Sequence, residues 1–120
     1  MSKSSDKAFD VLEYVMGVGG RAVTPSEAAK ALGLNAPTCA RLLDSLCGRG
    51  YLERKSRREG YRPGPTLFSL SNRDCFYRQL VRAAEPVIIA TAGKIGRLLL
   101  LSTLNMGRKH ILRYCDGSPG

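Results

Sequence analysis

The sequence predicts a mainly α-helical protein with a small β-hairpin. Three observations support this fold class. Two short segments with helix-capping residues at their starts lie close together, a basic hairpin pattern follows them, and apolar residues return at helical spacing in the second half. With 120 residues, of which 43% are hydrophobic, the chain has enough apolar material for about one packed domain.

The first capped segment starts at Thr24, whose side chain can act as an N-cap. Pro25 suits the first helical position, because the N–H that it lacks would be unpaired there in any residue. Glu27 can reach back to complete a capping box. Gly33 can adopt the left-handed conformation that ends a helix, so these signals predict a short helix that closes at Leu32.

A second capped segment begins immediately afterwards, where Asn35 can cap a helix over residues 36–48. Apolar residues at helical spacing predict its core face, formed by Cys39, Leu42, Leu43 and Leu46. The residues largely off this stripe, and therefore free to meet a partner, are Thr38, Ala40, Arg41, Asp44 and Ser45. Two helices joined in this way form a helix-turn-helix, whose second helix enters the major groove when the partner is DNA.

A further helix is predicted before this pair, over residues 6–16, and glycines at 17, 19 and 20 end it. Residues 21–23 follow as a short extended piece. After the second capped helix, residues 51–55 and 60–63 have the composition of two antiparallel strands, with Tyr51 and Tyr61 expected to pack on the helices. Residues 56–59 form the solvated tip of this hairpin.

The hairpin is strongly basic. Residues 49–62 contain six Lys and Arg against two Glu, a net charge of +4. A three-helix unit followed by such a hairpin is a winged helix-turn-helix, in which the wing lies along phosphates or enters the minor groove. We assign residues 6–65 to this domain.

After Gly64 and Pro65 the sequence no longer follows the winged-helix pattern and predicts a second set of helices and strands. We expect a linker helix over residues 66–79 and helical spacing over residues 74–84, with either a kink or a new helix at Pro86. Strands are predicted over 97–104 and 109–115. Residues 80–120 therefore form an incomplete α/β segment, too small to cover its own apolar face, which either another chain or the rest of a longer protein would complete.

Charge and composition narrow the class of function. Nineteen Lys and Arg against ten Asp and Glu give a formal charge of +9, which favours a polyanionic partner. No apolar run approaches the roughly 18 residues of a membrane helix, and no signal-type apolar block follows the N-terminus, so we expect a cytoplasmic protein. The four cysteines lack metal-ligand spacing, so we expect no metal or cofactor, and Cys39 and Cys47 are interpreted as small buried side chains.

Three segments resemble the DNA-binding domain of the IclR (isocitrate lyase regulator) family of bacterial transcription factors. They are residues 25–34, residues 38–46 together with Gly50-Tyr51-Leu52, and residues 60–64, and they occur in the order and spacing of that family. The resemblance departs from the family pattern at Pro37 and Cys39, where serine and valine are usual. Residues 80–117 resemble only the opening of the family's effector-binding domain.

The resemblance implies a homodimer, with contacts from the first helix around Val11 and Val15 and from the linker helix near Phe68. It also implies a small-molecule effector, although only in a longer parent protein, because later segments complete the family's pocket. Dimerisation agrees with the small number of base pairs that one short helix can read.

We therefore expect a sequence-specific regulator that binds double-stranded DNA. The candidate DNA-binding residues are Asn35, Ala36, Thr38, Ala40, Arg41, Ser45, Arg54, Lys55, Arg57 and Arg58. Structural roles remain open for several of them: capping for Asn35 and Thr38, pairing of Arg41 with Asp44 or Ser45, and protection of a strand edge by Arg57 and Arg58.

Two other classes of function compete with this hypothesis. The first is a winged helix that binds a protein rather than DNA. The second is an enzyme, which we do not expect, because the sequence shows no Ser/His/Asp, Cys/His or paired-carboxylate arrangement and nothing places a nucleophile beside His110.

Overall fold

The computed structural model describes residues 3–119. Its elements divide into two units, one ending at Arg73 and one beginning at Asp74. In chain order the elements are α1 (Ser4–Gly17), α2 (Pro25–Leu32), α3 (Ala36–Gly48), β1 (Leu52–Ser56), β2 (Gly60–Pro63), α4 (Pro65–Ser71), α5 (Phe76–Ile95), β3 (Leu98–Asn105) and β4 (Arg108–Asp116). This order confirms the predicted fold class, a winged helix-turn-helix followed by a helix and a further hairpin.

The capping residues act as the sequence predicts. The Thr24 side chain accepts a hydrogen bond from the backbone N–H of Glu27 at 3.2 Å, and Gly33 ends α2 with a φ of 67°. The Asn35 side chain accepts from the backbone N–H of Thr38 at 2.8 Å. The turn between α2 and α3 is therefore set by local chemistry at both of its ends.

Glu27 does more than the predicted capping box requires. Its carboxylate accepts hydrogen bonds from Arg21 at 2.9 Å and from the Tyr14 hydroxyl at 3.1 Å. The Arg21 hydrogen bond is the largest cause that lowers the pKa of Glu27, and Tyr14 and the backbone of Thr24 lower it further. One carboxylate thus connects α1, the extended piece and the start of α2.

The core of the first unit lies where α1, α2 and α3 meet the hairpin. Ten of its residues are buried: Val11, Leu12, Val15, Val23, Ala28, Ala29, Cys39, Leu43, Leu52 and Tyr61. The predicted stripe on α3 is confirmed, with Cys39 and Leu43 buried and Leu42 and Leu46 packed against the core. Cys47 is only half-buried but packs on the same core, and burial raises the pKa of both cysteine thiols.

A third extended segment joins the hairpin. β1 and β2 pair antiparallel, with an irregularity between Arg54 and Ser56, and Val23 pairs with Tyr61 from the other side. The two residues exchange backbone hydrogen bonds at 2.7 and 2.8 Å. The predicted extended piece before α2 is therefore the third strand position of the wing sheet.

Only Gly64 separates the wing from helix α4. The backbone N–H of Thr66 donates to the carbonyl of Gly50 at 2.9 Å, and its hydroxyl donates to the carbonyl of Arg49 at 2.9 Å. The interval 66–79, predicted as one linker helix, instead covers most of α4, a break at residues 72–75 and the start of α5. Two backbone bonds from residues 72 and 73 back into α4 close its last turn.

In the second unit, α5 runs unbroken through Pro86. The alternative of a new helix at this residue is therefore wrong. Pro86 is exposed, so water can bond the carbonyl four residues earlier, which has lost its N–H partner. Tertiary packing of Ile88 and Ala92, which are buried, favours continuation of the helix past the proline.

Strands β3 and β4 confirm the predicted second hairpin. Met106 and Gly107 both have positive φ, the geometry of a two-residue turn that matches strand twist. One face of the hairpin carries half-buried residues and packs with α5, whereas the other is exposed. The exposed large apolar side chains of the two strands are Leu98, Leu100, Leu104, Ile111 and Tyr114. The apolar face that residues 80–120 were predicted to leave uncovered is thus seen on one side of this hairpin.

We expect Gly60→Ala to destabilise the first unit by about 3 kcal/mol or more in urea unfolding. Gly60 has a φ of +101°, and an added Cβ would lie 2.2 Å from the carbonyl oxygen of Val23, which is backbone and cannot move aside. Gly19→Ala is the matched control. Its φ of +78° is also left-handed but nothing lies within 4 Å, so only the conformational cost of about 1–2 kcal/mol applies. Equal destabilisation of the two variants would contradict the steric explanation.

We also expect Glu27→Gln to flatten the acid limb of the stability curve. A carboxyl whose pKa is lowered on folding adds stability above its ordinary pKa, and this contribution disappears as the pH falls through the lowered value. Urea unfolding of both proteins between neutral and acidic pH measures the difference. Asp10→Asn, which removes a carboxylate without an ion pair in the described chain, is the control, and identical acid limbs for Glu27→Gln and the wild type would refute the role.

Candidate nucleic-acid interface

The N-terminal turns of α3 present a mixed surface. Asn35, Ala36, Arg41 and Ser45 are exposed, and Thr38 and Ala40 are half-buried. Asn35 fulfils the capping role that the sequence left open, and Thr38 supplies the backbone N–H that it caps. The Asn35 side chain remains at the surface, and its amide N–H groups form no hydrogen bond in the described residues. The face opposite the core is therefore polar and accessible.

Arg41 has no ion pair in the described part of the chain. The sequence allowed Arg41 to pair with Asp44 on its own helix, but Asp44 accepts a hydrogen bond from the Tyr61 hydroxyl at 3.1 Å instead. The cation of Arg41 is thus left facing solvent. An exposed, unpaired guanidinium on such a helix can bind a phosphate or a guanine edge.

Arg54 is held by the protein itself. Its guanidinium donates to the Tyr61 hydroxyl at 2.6 Å and lies 5.2 Å from the centre of the Tyr61 ring, a cation–π distance. The Tyr61 hydroxyl is the main cause that raises the pKa of Arg54. The side chains of Asp44, Tyr61 and Arg54 form a chain of hydrogen bonds between α3 and the wing, which we call the α3–wing bridge.

The wing tip combines paired and unpaired cations. Lys55 forms an ion pair with Glu59 at 2.6 Å, and Arg62 forms one with Glu53 at 2.7 Å. Arg57 and Arg58 are exposed and form no ion pair or hydrogen bond in the described residues. The four predicted wing cations therefore differ, since only Arg57 and Arg58 are free for a partner without breaking an internal contact.

Sequence reasoning missed the part that Tyr61 and Asp44 play. Tyr61 was expected to pack on the helices, and it does, with an exposed fraction of 3%. A buried tyrosine hydroxyl needs a hydrogen-bond partner, so the missing signal was the demand for one near Tyr61. Asp44, grouped with the residues free to meet a partner, satisfies that demand.

The expected dimer contact on α1 needs correction. Val11 and Val15 are 0% exposed, because they belong to the core of their own unit, and cannot contact a second chain. The exposed large apolar residues of α1 are Phe9 and Met16, at 60% and 48%, and Phe68 on α4 is 73% exposed. Met16 and Phe68 line one shallow groove together with Pro63, Gly64, Leu67 and Ser71.

Comparison with known proteins supports the same domain. The sequence model of the MarR family matches residues 5–62, which comprise the helix-turn-helix and the wing. No curated protein sequence matches the chain.

Several solved structures match nearly the whole chain, including α5 and the second hairpin. An IclR homologue from Microbacterium hydrocarbonoxydans, in complex with 4-hydroxybenzoate, has a TM-score of 0.79 at 23% identity over 96% of this chain and 47% of its own. An IclR-type regulator from Alicyclobacillus acidocaldarius has a TM-score of 0.76 at 25% identity over 100% of this chain and 48% of its own. The chain therefore shares the fold of these IclR-type structures, including a winged helix-turn-helix domain.

A third structure, a regulator from Silicibacter sp. TM1040, has a TM-score of 0.77 at 22% identity over 95% of this chain and 44% of its own. The chain therefore spans about half the length of the IclR-type structures that it matches. Helix α5 and the second hairpin correspond in fold to the segment that continues from the winged domain in those proteins. No helix of the described residues is both long and apolar enough to span a membrane.

We expect Arg41→Ala to weaken binding of the winged helix-turn-helix domain to a duplex recovered by selection from a random pool, by about 1–3 kcal/mol. If Arg41 reads a base, the variant also tolerates substitution of that base pair better than the wild type does. Titration of a fluorescent duplex, repeated for each single base-pair change, separates base reading from phosphate contact. Unchanged affinity for every duplex would exclude Arg41 from the interface.

Proposed function

We propose that this protein is a sequence-specific regulator of transcription that binds double-stranded DNA as a homodimer. The observation that carries the proposal is the set of exposed cations that have no partner among the described residues, Arg41 on α3 and Arg57 and Arg58 at the wing tip, in a domain with the fold of IclR-type structures. In a winged helix these two elements are the ones that approach the grooves and the phosphates.

The two elements would make different contacts. The exposed face of α3, with Asn35, Ala36, Thr38, Ala40, Arg41 and Ser45, would enter the major groove and read base edges. Arg57 and Arg58 would bind phosphates beside it. Lys55 can join them at small cost, because its ion pair with Glu59 is exposed and such pairs contribute about 0–1 kcal/mol.

Arg54 has a different role in this proposal. Its guanidinium is already bound by the Tyr61 hydroxyl and ring, so a phosphate contact would compete with these interactions. We therefore assign Arg54 to holding the wing rather than to the main phosphate contacts. The positive charge of Arg54 still adds to the overall electrostatic attraction between the domain and DNA.

Dimerisation would use the apolar surface formed by Met16, Phe68 and Leu70. These side chains are 48%, 73% and 43% exposed and lie on α1 and α4. A second copy of the chain would remove them from water and would place two α3 helices on successive half-sites. A regulator of this kind acts where bacterial DNA lies, in the cytoplasm.

A small-molecule effector would belong to a longer protein of which this chain forms part. The solved relative from Microbacterium hydrocarbonoxydans was obtained with 4-hydroxybenzoate, and the chain matches less than half of that protein. We propose that an effector site would need segments beyond those that match.

The experiment that tests the proposed function is selection of bound duplexes from a random pool, with the oligomeric state measured by sedimentation. The expected result is a recurring motif with two-fold symmetry, bound by a dimer. Failure to enrich any sequence would contradict the proposal and favour a winged helix that binds proteins.

We expect the double variant Arg57→Ala/Arg58→Ala to flatten the dependence of log affinity on log salt by about 0.9 for each phosphate that is no longer bound. Each bound phosphate releases condensed counterions, so the slope reports the number of bound phosphates and not overall charge alone. The matched control is Lys94→Ala/Arg97→Ala, which removes the same charge from exposed positions in the second unit. A slope change in the control equal to that in the wing variant would refute the wing assignment.

A further inference from the structure

We propose that the Tyr61 hydroxyl is a positioning group that keeps Asp44 away from Arg41 and so leaves the Arg41 cation available for DNA. The inference rests on the proposed function and names a residue outside the DNA-facing set. Its basis is the α3–wing bridge, in which one hydroxyl joins the helix that carries Arg41 to the wing.

Arg41 and Asp44 lie three residues apart on α3. Residues three apart on a helix are neighbours, so a carboxylate at 44 is placed to form an ion pair with a guanidinium at 41. Such a pair would have to break before Arg41 could bind a phosphate or a base. In the structure it does not form, because Asp44 faces the Tyr61 hydroxyl, whose oxygen lies 3.1 Å from Asp44 Oδ1.

Tyr61 is held rigidly in place. Its backbone exchanges two hydrogen bonds with Val23, and its side chain is 3% exposed within the core. The ring cannot follow Asp44 if the carboxylate turns toward Arg41. The hydroxyl is therefore a fixed donor, and a fixed donor holds a mobile surface carboxylate better than another surface side chain does.

The Tyr61 hydroxyl both accepts and donates a hydrogen bond. Arg54 donates to the Tyr61 oxygen at 2.6 Å, and Tyr61 donates its own proton to Asp44. With its acceptor position occupied by a cation, the hydroxyl is polarised toward donation. Arg54 thereby strengthens the hold on Asp44 without itself contacting it.

The test uses Tyr61→Phe, which removes the hydroxyl and keeps the ring. We expect its affinity to fall about two- to fivefold, the range of an exposed ion pair that must break before binding. The probes are the duplex recovered by selection and a mixed-sequence duplex of about 20 base pairs, two helical turns. Tyr51→Phe is the matched control, because the Tyr51 hydroxyl forms no hydrogen bond in the described residues, and it should bind as the wild type does.

A double-mutant cycle with Asp44→Ala separates this role from a merely structural one. Without the carboxylate there is nothing to capture Arg41, so Tyr61→Phe should cost no affinity in the Asp44→Ala background. Urea unfolding of each variant verifies that all are folded under the binding conditions.

Two results would overturn the inference while the proposed function stands. The first is wild-type affinity in Tyr61→Phe, and the second is an equal fall in affinity in the presence and absence of Asp44, which would indicate general loosening of the wing. Absence of duplex binding by the wild type is a different result, because it would reject the proposed function itself.

Discussion

The backbone pairing of Val23 with Tyr61 is the contact on which the first unit depends. It joins the segment that enters the helix-turn-helix to the strand that leaves the wing, and thereby closes a small three-stranded arrangement over the helices. The approach is so close that residue 60 must be glycine, since any Cβ would meet the backbone of Val23. The same pairing fixes the ring of Tyr61 in the core and its hydroxyl between Asp44 and Arg54. Core packing and surface chemistry therefore meet at one residue.

The sequence predicted those features that local chemistry determines. Thr24, Gly33 and Asn35 act through contacts within a few residues, and each has the role that its type and position predicted. The α3 core stripe and the second hairpin could also be predicted from the sequence, because periodicity and turn composition are local signals as well. The wing followed from its basic composition and the tyrosines that flank it.

Features that depend on tertiary context were not predictable in the same way. Pro86 is a local signal for a break, yet packing around Ile88 and Ala92 and solvent at the proline allow α5 to continue. The resemblance placed part of the dimer contact on the first helix around Val11 and Val15, whereas these two side chains are buried in the core. Among the candidate DNA-binding residues, the sequence alone does not distinguish Arg54, which is held by Tyr61, from Arg57 and Arg58, which have no partner in the described chain. Their contact with DNA remains a prediction.

The division of α3 into two faces has a consequence for how such a domain can diverge. The residues that fold it, Cys39 and Leu43, point into the core, while those at Arg41 and Ser45 contribute nothing to that core. Descendants of one ancestral gene can therefore exchange the outer residues at little thermodynamic cost, and under the proposed function such exchanges would change the recognised DNA sequence. Asp44 is the exception, because a change there alters the charge beside Arg41 and removes a partner from the wing. New specificities should arise more readily at positions 41 and 45 than at 44.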